Sequence, residues 1–415
     1  MKRTSSVLAT AAVLALGGVM SVSAGPVDPP VGPIQSTMKT LGEVEPRTPI
    51  NTETCPGDAN SIFRIAQPGS YYLTANLQGA SGFSGIEIGA DNVTIDLCGF
   101  TLRGGGGSSL DGITMSGGHR GIAVLNGKVE FWSGNGVNLA LAASSRVSGV
   151  FAIDNSLAGI TVGSASMVTD CQTHGNDDWG FLASNNCVLR DCVSAYDGKG
   201  ISADYASLIE RCSVSNSHAQ GFTVYSGCVL QRCSALTNTN YGFWLGAKSI
   251  ARDCSAGSNG DHGFVPQSNC SLKGCTSNTN GKSGFFLAQG CDISECYASD
   301  NSLHGIDCGD DCTVTGNTCR GNGVGAQHGS GIHIASGVIR VLLEHNICTR
   351  NHWGVQIAGL DNFVVGNRCT MNATSFDIVQ GNRVGAIIVL PLAGPIGGNA
   401  GGDSAGGSSL SNIAY

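Results

Sequence analysis

From Gly136 onward the chain repeats one short pattern of apolar and polar positions. A glycine is followed by an apolar residue, a variable one and a second apolar residue. Examples are Phe222-Thr223-Val224, Phe243-Trp244-Leu245, Phe285-Phe286-Leu287, Ile332-His333-Ile334 and Val355-Gln356-Ile357. Alternation with period two marks a strand that buries one face. The glycines stand at Gly136, Gly159, Gly180, Gly200, Gly221, Gly242, Gly263, Gly284, Gly305, Gly331 and Gly354, mostly 20 or 21 residues apart, with 26 before Gly331. A second apolar column runs through Leu189, Ile209, Leu230, Leu272, Ile293, Val314, Leu343 and Val364. One repeat is too short for a hairpin with its own core. It suits one coil of a solenoid whose strands pair in parallel with the next coil about 4.8 Å away. Parallel crossovers favour the right hand. The predicted fold is therefore all-β, a right-handed parallel β-helix (solenoid) of about 21-residue coils. Asn259, Asn280 and Asn301 precede their glycines and are expected to supply positive φ at the corners.

The same period explains the cysteines. Cys171, Cys192, Cys212, Cys233, Cys254, Cys275 and Cys296 share one column, continued by Asn317, Asn346 and Asn367. A second column alternates Ser166, Cys187, Ser207, Cys228, Ser249, Cys270, and then has Cys291 and Cys312. Cys319, Cys348 and Cys369 form a third. A small, soft residue that trades with Ser or Asn at a tight corner needs no chemistry to explain it. Cys187 and Cys192 are separated by an extended segment of roughly 10–16 Å, too far for a shared zinc or a disulfide. Neighbours within a column are near bonding distance, so vertical disulfides stay open, as does a Cys55–Cys98 pair.

Composition narrows the class. Glycine numbers 62, charged residues are 13% and the net charge is −8. An acidic chain of low charge is a poor partner for nucleic acid or anionic membrane. Residues 1–24 have the form of a signal peptide, with Lys2 and Arg3 before an apolar run and a small residue at Ala24. No later segment is long enough to span a bilayer. The expected organisation is signal peptide 1–24, Pro-rich leader 25–50, β-helix with an N-terminal cap 51–390 and Gly/Ser-rich tail 391–415. The expected location is secreted or cell envelope.

The "N…G-[IF]-x-[VIL]…N-x-x-I" pattern resembles the right-handed β-helix repeat of the pectin-lyase-like superfamily. "GSYYLTANLQG", "GIEIGADNVTIDLCGFTLRG" and "VLNGKVEFWSGNGV" are similar to a group of secreted bacterial β-helix proteins without an assigned activity. The resemblance implies a fold, and it implies that a ligand lies along the outer face of the strand after each glycine. It does not imply one reaction, since this architecture hosts many.

That outer column contains Trp244, Phe286, Asp307, His333 and Gln356, and the residues just before the glycines include Trp179, Tyr241, His262, His304 and Trp353. Flat rings beside polar groups suit the faces of sugars. The candidate binding residues are Tyr241, Trp244, Phe286, Trp353 and Trp179. The candidate acid–base residues are Asp307, His304, His333 and His262. The blander interpretation is that stacked rings only support neighbouring strands. "GDDC" at 309–312 resembles a polygalacturonase motif, but the accompanying motifs of that family are missing here, and the two aspartates stand where other coils have Asn-Asn or Ser-Asn, which reads as a turn. No cofactor is required. Calcium would need clustered carboxylates, and Asp307, Asp310 and Asp311, with Arg320 as the accompanying base, are the loose candidates. The expected function is binding or processing of an extracellular polysaccharide. The alternative is a structural or adhesive envelope protein with no catalytic site.

Overall fold

The computed structural model describes residues 45–325, 328–389, 396–398 and 411–414. The signal peptide, most of the leader and most of the tail lie outside the described residues. Contacts divide the chain after Pro46, and the unit beginning at Arg47 is the one described below.

Each coil carries three short strands. In one coil these are Trp179–Ala183, Val188–Arg190 and Val193–Ala195. The first kind stacks into a sheet of 16 strands; the other two kinds form a joined sheet of 30. Strands pair in parallel with the next coil in unbroken register, so Phe222 lies on Phe243 and Phe243 on Phe264. The isolated bridge between Pro56 and Phe63 is antiparallel. Strand Thr48–Pro49 pairs with Gly69–Tyr72 at one end, and Asn412–Ala414 pairs with Arg368–Thr370 and Ile387–Val389 at the other.

The core is built from columns. Phe222, Phe243, Phe264 and Phe285 are fully buried and stack with centroids 4.7, 4.6 and 5.0 Å apart. Leu189, Ile209, Leu230, Leu272, Ile293, Val314, Leu343 and Val364 form the opposite wall, all buried. The glycine before each strand is required by space. A Cβ at Gly242 would lie 2.7 Å from the Gly263 carbonyl oxygen and 2.8 Å from the Asn259 amide nitrogen.

The asparagines do not do what the sequence suggested. Asn259, Asn280 and Asn301 are buried and have no positive φ; that conformation falls on the preceding Ser258, Thr279 and Asp300. Each amide instead joins a vertical ladder. The Nδ2 groups of Asn238, Asn259, Asn280 and Asn301 donate to the Oδ1 of the next asparagine at 2.9–3.0 Å. The backbone N–H of each donates to the same acceptor. The ladder thereby satisfies donors that parallel pairing leaves over at the bend.

One rung is different. Asp197 replaces asparagine and accepts four bonds: from Thr173 Oγ1 at 2.7 Å, Ser194 Oγ at 2.6 Å, and the backbone and side-chain nitrogens of Asn176 at 2.9 and 2.8 Å. A carboxylate has no hydrogen to pass on. The next rung is Ser217, whose hydroxyl is buried without a partner, and the asparagines resume at Asn238.

The cysteine columns are buried at the second bend. Cys187 and Cys228 donate their N–H groups to Ser207 and Ser249 Oγ, and Cys296 donates to Asn317 Oδ1. Burial pushes the Cys171 thiol up to about 12, which keeps it protonated. Cys55 is buried and Cys98 exposed, both as free thiols.

Candidate functional site

The 16-stranded sheet turns its outer face to solvent, and register decides which side chains meet there. Asp307 lies on His333, and His333 on Gln356. The residue before each glycine adds a parallel row beside them. The longer interval of 26 residues from Gly305 to Gly331 leaves this register intact.

Three of the expected residues come together. His333 Nδ1 stands 2.8 Å from Asp307 Oδ1. The His304 ring stacks on His333 at 4.1 Å with an interplanar angle of 3°. His304 is only 8% exposed, while Asp307 and His333 are half-buried. The hydrogen bonds fix which ring nitrogens carry protons. The Ser330 N–H donates to His304 Nδ1 at 3.0 Å, so neutral His304 carries its proton on Nε2. A carboxylate can only accept, so the neutral form of His333 carries its proton on Nδ1 and its lone pair on Nε2. The two stacked rings therefore offer a donor and an acceptor side by side. Burial, reinforced by the neighbouring His333, holds His304 down to about 4, so its ring is neutral at neutral pH.

The nitrogen and oxygen donors of His304, Asp307 and His333 all lie within 4.8 Å of one another. Two imidazoles and one carboxylate suit a borderline transition ion better than calcium, which prefers six to eight oxygens. The ring geometry does not suit an ion either. An imidazole holds a metal in its own plane, and two parallel stacked planes share no such point. Asp310 and Asp311 are engaged elsewhere: Asp310 accepts the Ile339 N–H at 2.9 Å, and Asp311 pairs with Arg340 at a positive-φ corner.

The fourth histidine stands apart. His262 lies two coils away and repeats the arrangement without a carboxylate partner in the strand row. The Ser283 N–H donates to its Nδ1 at 3.1 Å, and its ring stacks on Phe286 at 4.7 Å and on Tyr241 at 6.3 Å. Burial lowers its pKa. Tyr241, Phe286 and Trp244 thus share one strip with the histidines, and Phe286 is 44% exposed. Trp353 packs edge-on against His352 at 4.2 Å and near His328 at 6.4 Å. Trp179 lies six coils from Asp307, with the Lys199 ammonium over its ring at 5.2 Å, and is not part of this cluster.

Several rings were not singled out from the sequence. Tyr205 and Tyr225 are exposed and 5.7 Å apart, and Tyr225 meets Trp244 edge-on at 6.3 Å. They stand five, four and two residues after their glycines, so no fixed column contains them. Farther along, Ser330 Oγ donates to Gln356 Oε1 at 2.9 Å and Gln356 Nε2 approaches Asp377 at 3.5 Å. Concavities of about 370 and 510 Å³ lie in the N-terminal coils, around Leu73 and around Glu87 and Asp111, away from the histidines.

A family model described as "Right handed beta helix region" matches residues 184–319, the stretch with the most regular coils. This is a right-handed parallel β-helix repeat protein. No curated protein matches its sequence. Among solved structures, the β-helix is similar to the mannuronan C-5 epimerase A-module of Azotobacter vinelandii, at 15% identity and TM-score 0.39, over 76% of this chain and 83% of that one. It is also similar to a tailspike protein of E. coli bacteriophage HK620 in complex with a pentasaccharide, at 12% identity and TM-score 0.42, over 78% and 65%. A third is the catalytic domain of a GH87 alpha-1,3-glucanase, at 11% identity and TM-score 0.40, over 70% and 62%. The chain thus spans less than two thirds of the length of the last two. These likenesses are too remote to transfer any residue's role. No helix among the described residues is long and apolar enough to cross a membrane.

Proposed function

We propose that this β-helix is a secreted or envelope protein that binds an extracellular polysaccharide, with Asp307–His333 as an acid–base pair on the binding face. The observation that carries the reading is the 2.8 Å His333–Asp307 contact in a half-buried strip of flat rings. Asp307 orients His333 so that Nε2 faces outward as a base. His304 presents an N–H beside it. A base and a donor spaced by a ring stack suit proton transfer at a sugar carbon or hydroxyl, with Phe286 and Tyr241 offering faces for neighbouring sugar rings. Protons move between His333 Nε2 and the ligand, and Asp307 stays an acceptor throughout.

A structural or adhesive role is the second reading. It is favoured by His262, whose ring stacks on Phe286 just as His304 stacks on His333. The stacked pair is therefore also a device for supporting strands.

The test incubates the purified protein with neutral and uronate polysaccharides, with and without calcium. Product formation is read as reducing ends and as absorbance of unsaturated sugars, and binding as co-sedimentation. Turnover that falls at least a hundredfold in His333→Ala and Asp307→Asn supports the acid–base pair. Binding without turnover leaves a carbohydrate-binding protein. Neither, across the panel, selects the structural reading.

A further inference from the structure

A second set of rings lies on the same side of the solenoid, toward the N-terminal coils. Tyr205 and Tyr225 are 54% and 44% exposed. Their rings are 5.7 Å apart at 46°, and Tyr225 meets Trp244 at 6.3 Å and 71°. These rings tilt rather than stack, so each keeps a face free. The buried phenylalanines behave oppositely, lying flat on one another at 3–11°. Three large rings in three consecutive coils, at three different offsets, are not a by-product of the repeat.

We infer that Tyr205, Tyr225 and Trp244 form a stacking platform for successive units of one glycan chain, separate from the Asp307–His333 pair. This rests on the carbohydrate reading above and adds the ligand's form: a polymer, held over several units, extending from the acid–base pair toward the N-terminal coils. Trp244 lies three coils before Asp307 and Tyr205 five, which is about 14 and 24 Å along the stack at the inter-strand spacing. Tyr and Trp offer wide rigid faces with polar tips, at low entropic cost when they bind. The corner beside them carries Ser184, Asp204 and Ser226, which are donors and acceptors for hydroxyl groups. Single-stranded nucleic acid also stacks on rings, but it requires a basic groove, and this chain carries a net charge of −8. A small sugar would not reach both the platform and His333.

The test is affinity electrophoresis of the full chain in gels containing hydroxyethyl cellulose, xylan, dextran, polygalacturonate or alginate. Three proteins are compared: wild type, Tyr205→Ala/Tyr225→Ala and the ring-preserving Tyr205→Phe/Tyr225→Phe. The expected result is retardation of the wild type in at least one gel, with apparent affinity about tenfold weaker or more in the double alanine variant. The double phenylalanine variant should stay within threefold of wild type. Thermal unfolding checks that the double alanine variant keeps its fold; if it does not, a double phenylalanine variant that loses retardation while folded overturns the stacking argument. Retardation equal to wild type in a folded double alanine variant overturns the platform and leaves the Asp307–His333 reading standing. No retardation of the wild type in any gel overturns both.

Discussion

The buried ring of His304 should make the protein acid-sensitive by an amount that can be worked out. Its pKa is held near 4 from an ordinary 6.5. A depressed imidazole contributes stability that is fully present above the unfolded value of 6.5. That stability is lost as pH falls through 6.5 toward 4, because only the unfolded state takes up the proton. The whole shift corresponds to roughly 3 kcal/mol, and about 2 kcal/mol of it is gone by pH 5. The groups facing the ring are His333, Asp307 and the Ser330 N–H, with His262 contributing from farther off. His304→Gln keeps an acceptor for Ser330 and removes the titration. Urea unfolding of both proteins at pH 7.5 and pH 5 gives four free energies. Wild type should lose about 2 kcal/mol more than His304→Gln on acidification, and His262 and Asp197 cancel in the comparison. Equal losses in the two proteins would refute the buried neutral tautomer, and with it the donor assigned to Nε2.

Other expectations follow from the columns. Phe243→Ala should cost about 3–5 kcal/mol, more than Phe222→Ala, because Phe243 is stacked on both sides; urea unfolding ranks them, and equal costs would count against stacking. Asn280→Ala removes the acceptor for two donors of Asn259 and should cost about 2–5 kcal/mol, with faster hydrogen exchange at the Asn259 amide. Burial raises the Asp197 pKa, so the stability this carboxyl contributes is lost as pH rises through that raised value. Asp197→Asn should therefore gain on wild type as pH rises from 4 to 7, and a gain that shrinks over that interval would reject the account.

Much of this architecture was legible because its period is covalent. The glycines, the Phe column and the Leu189-to-Val364 column each require one residue type at one offset, and a fixed offset survives in a string of letters. The role of the asparagines was less accessible. Asn259 at a corner and Asn259 in a buried ladder have the same spacing, and only the φ angle separates them. The candidate site divides in the same way. Asp307, His304 and His333 could be grouped because register places them on adjacent coils. Tyr205 and Tyr225 could not, since they occupy neighbouring rather than equivalent positions of the repeat, two and one residues past the paired Ala203 and Val224. The direction of each histidine's proton was also invisible, because Ser330 approaches His304 through its backbone, which carries no sequence signal.

The Asp197 rung has a consequence for how the molecule comes apart. An amide ladder is polar, each rung handing a proton donor to the next, so its members strengthen one another along a single direction. Asp197 ends one such run, Ser217 contributes only its backbone N–H to the next, and the amide-to-amide bonds resume at Asn238. The phenylalanine stack also starts only at Phe222. Two independent cooperative chains, one polar and one aromatic, therefore have their termini at the same height of the solenoid. Neighbour coupling is what binds repeats into a single folding unit, and here its side-chain part is interrupted while the backbone register runs on. The rod has a seam between Asp197 and Asn238, with the whole histidine strip on one side of it. Across that seam the coils are joined by strand pairing and the Leu189–Ile209–Leu230 wall, without help from either side-chain chain.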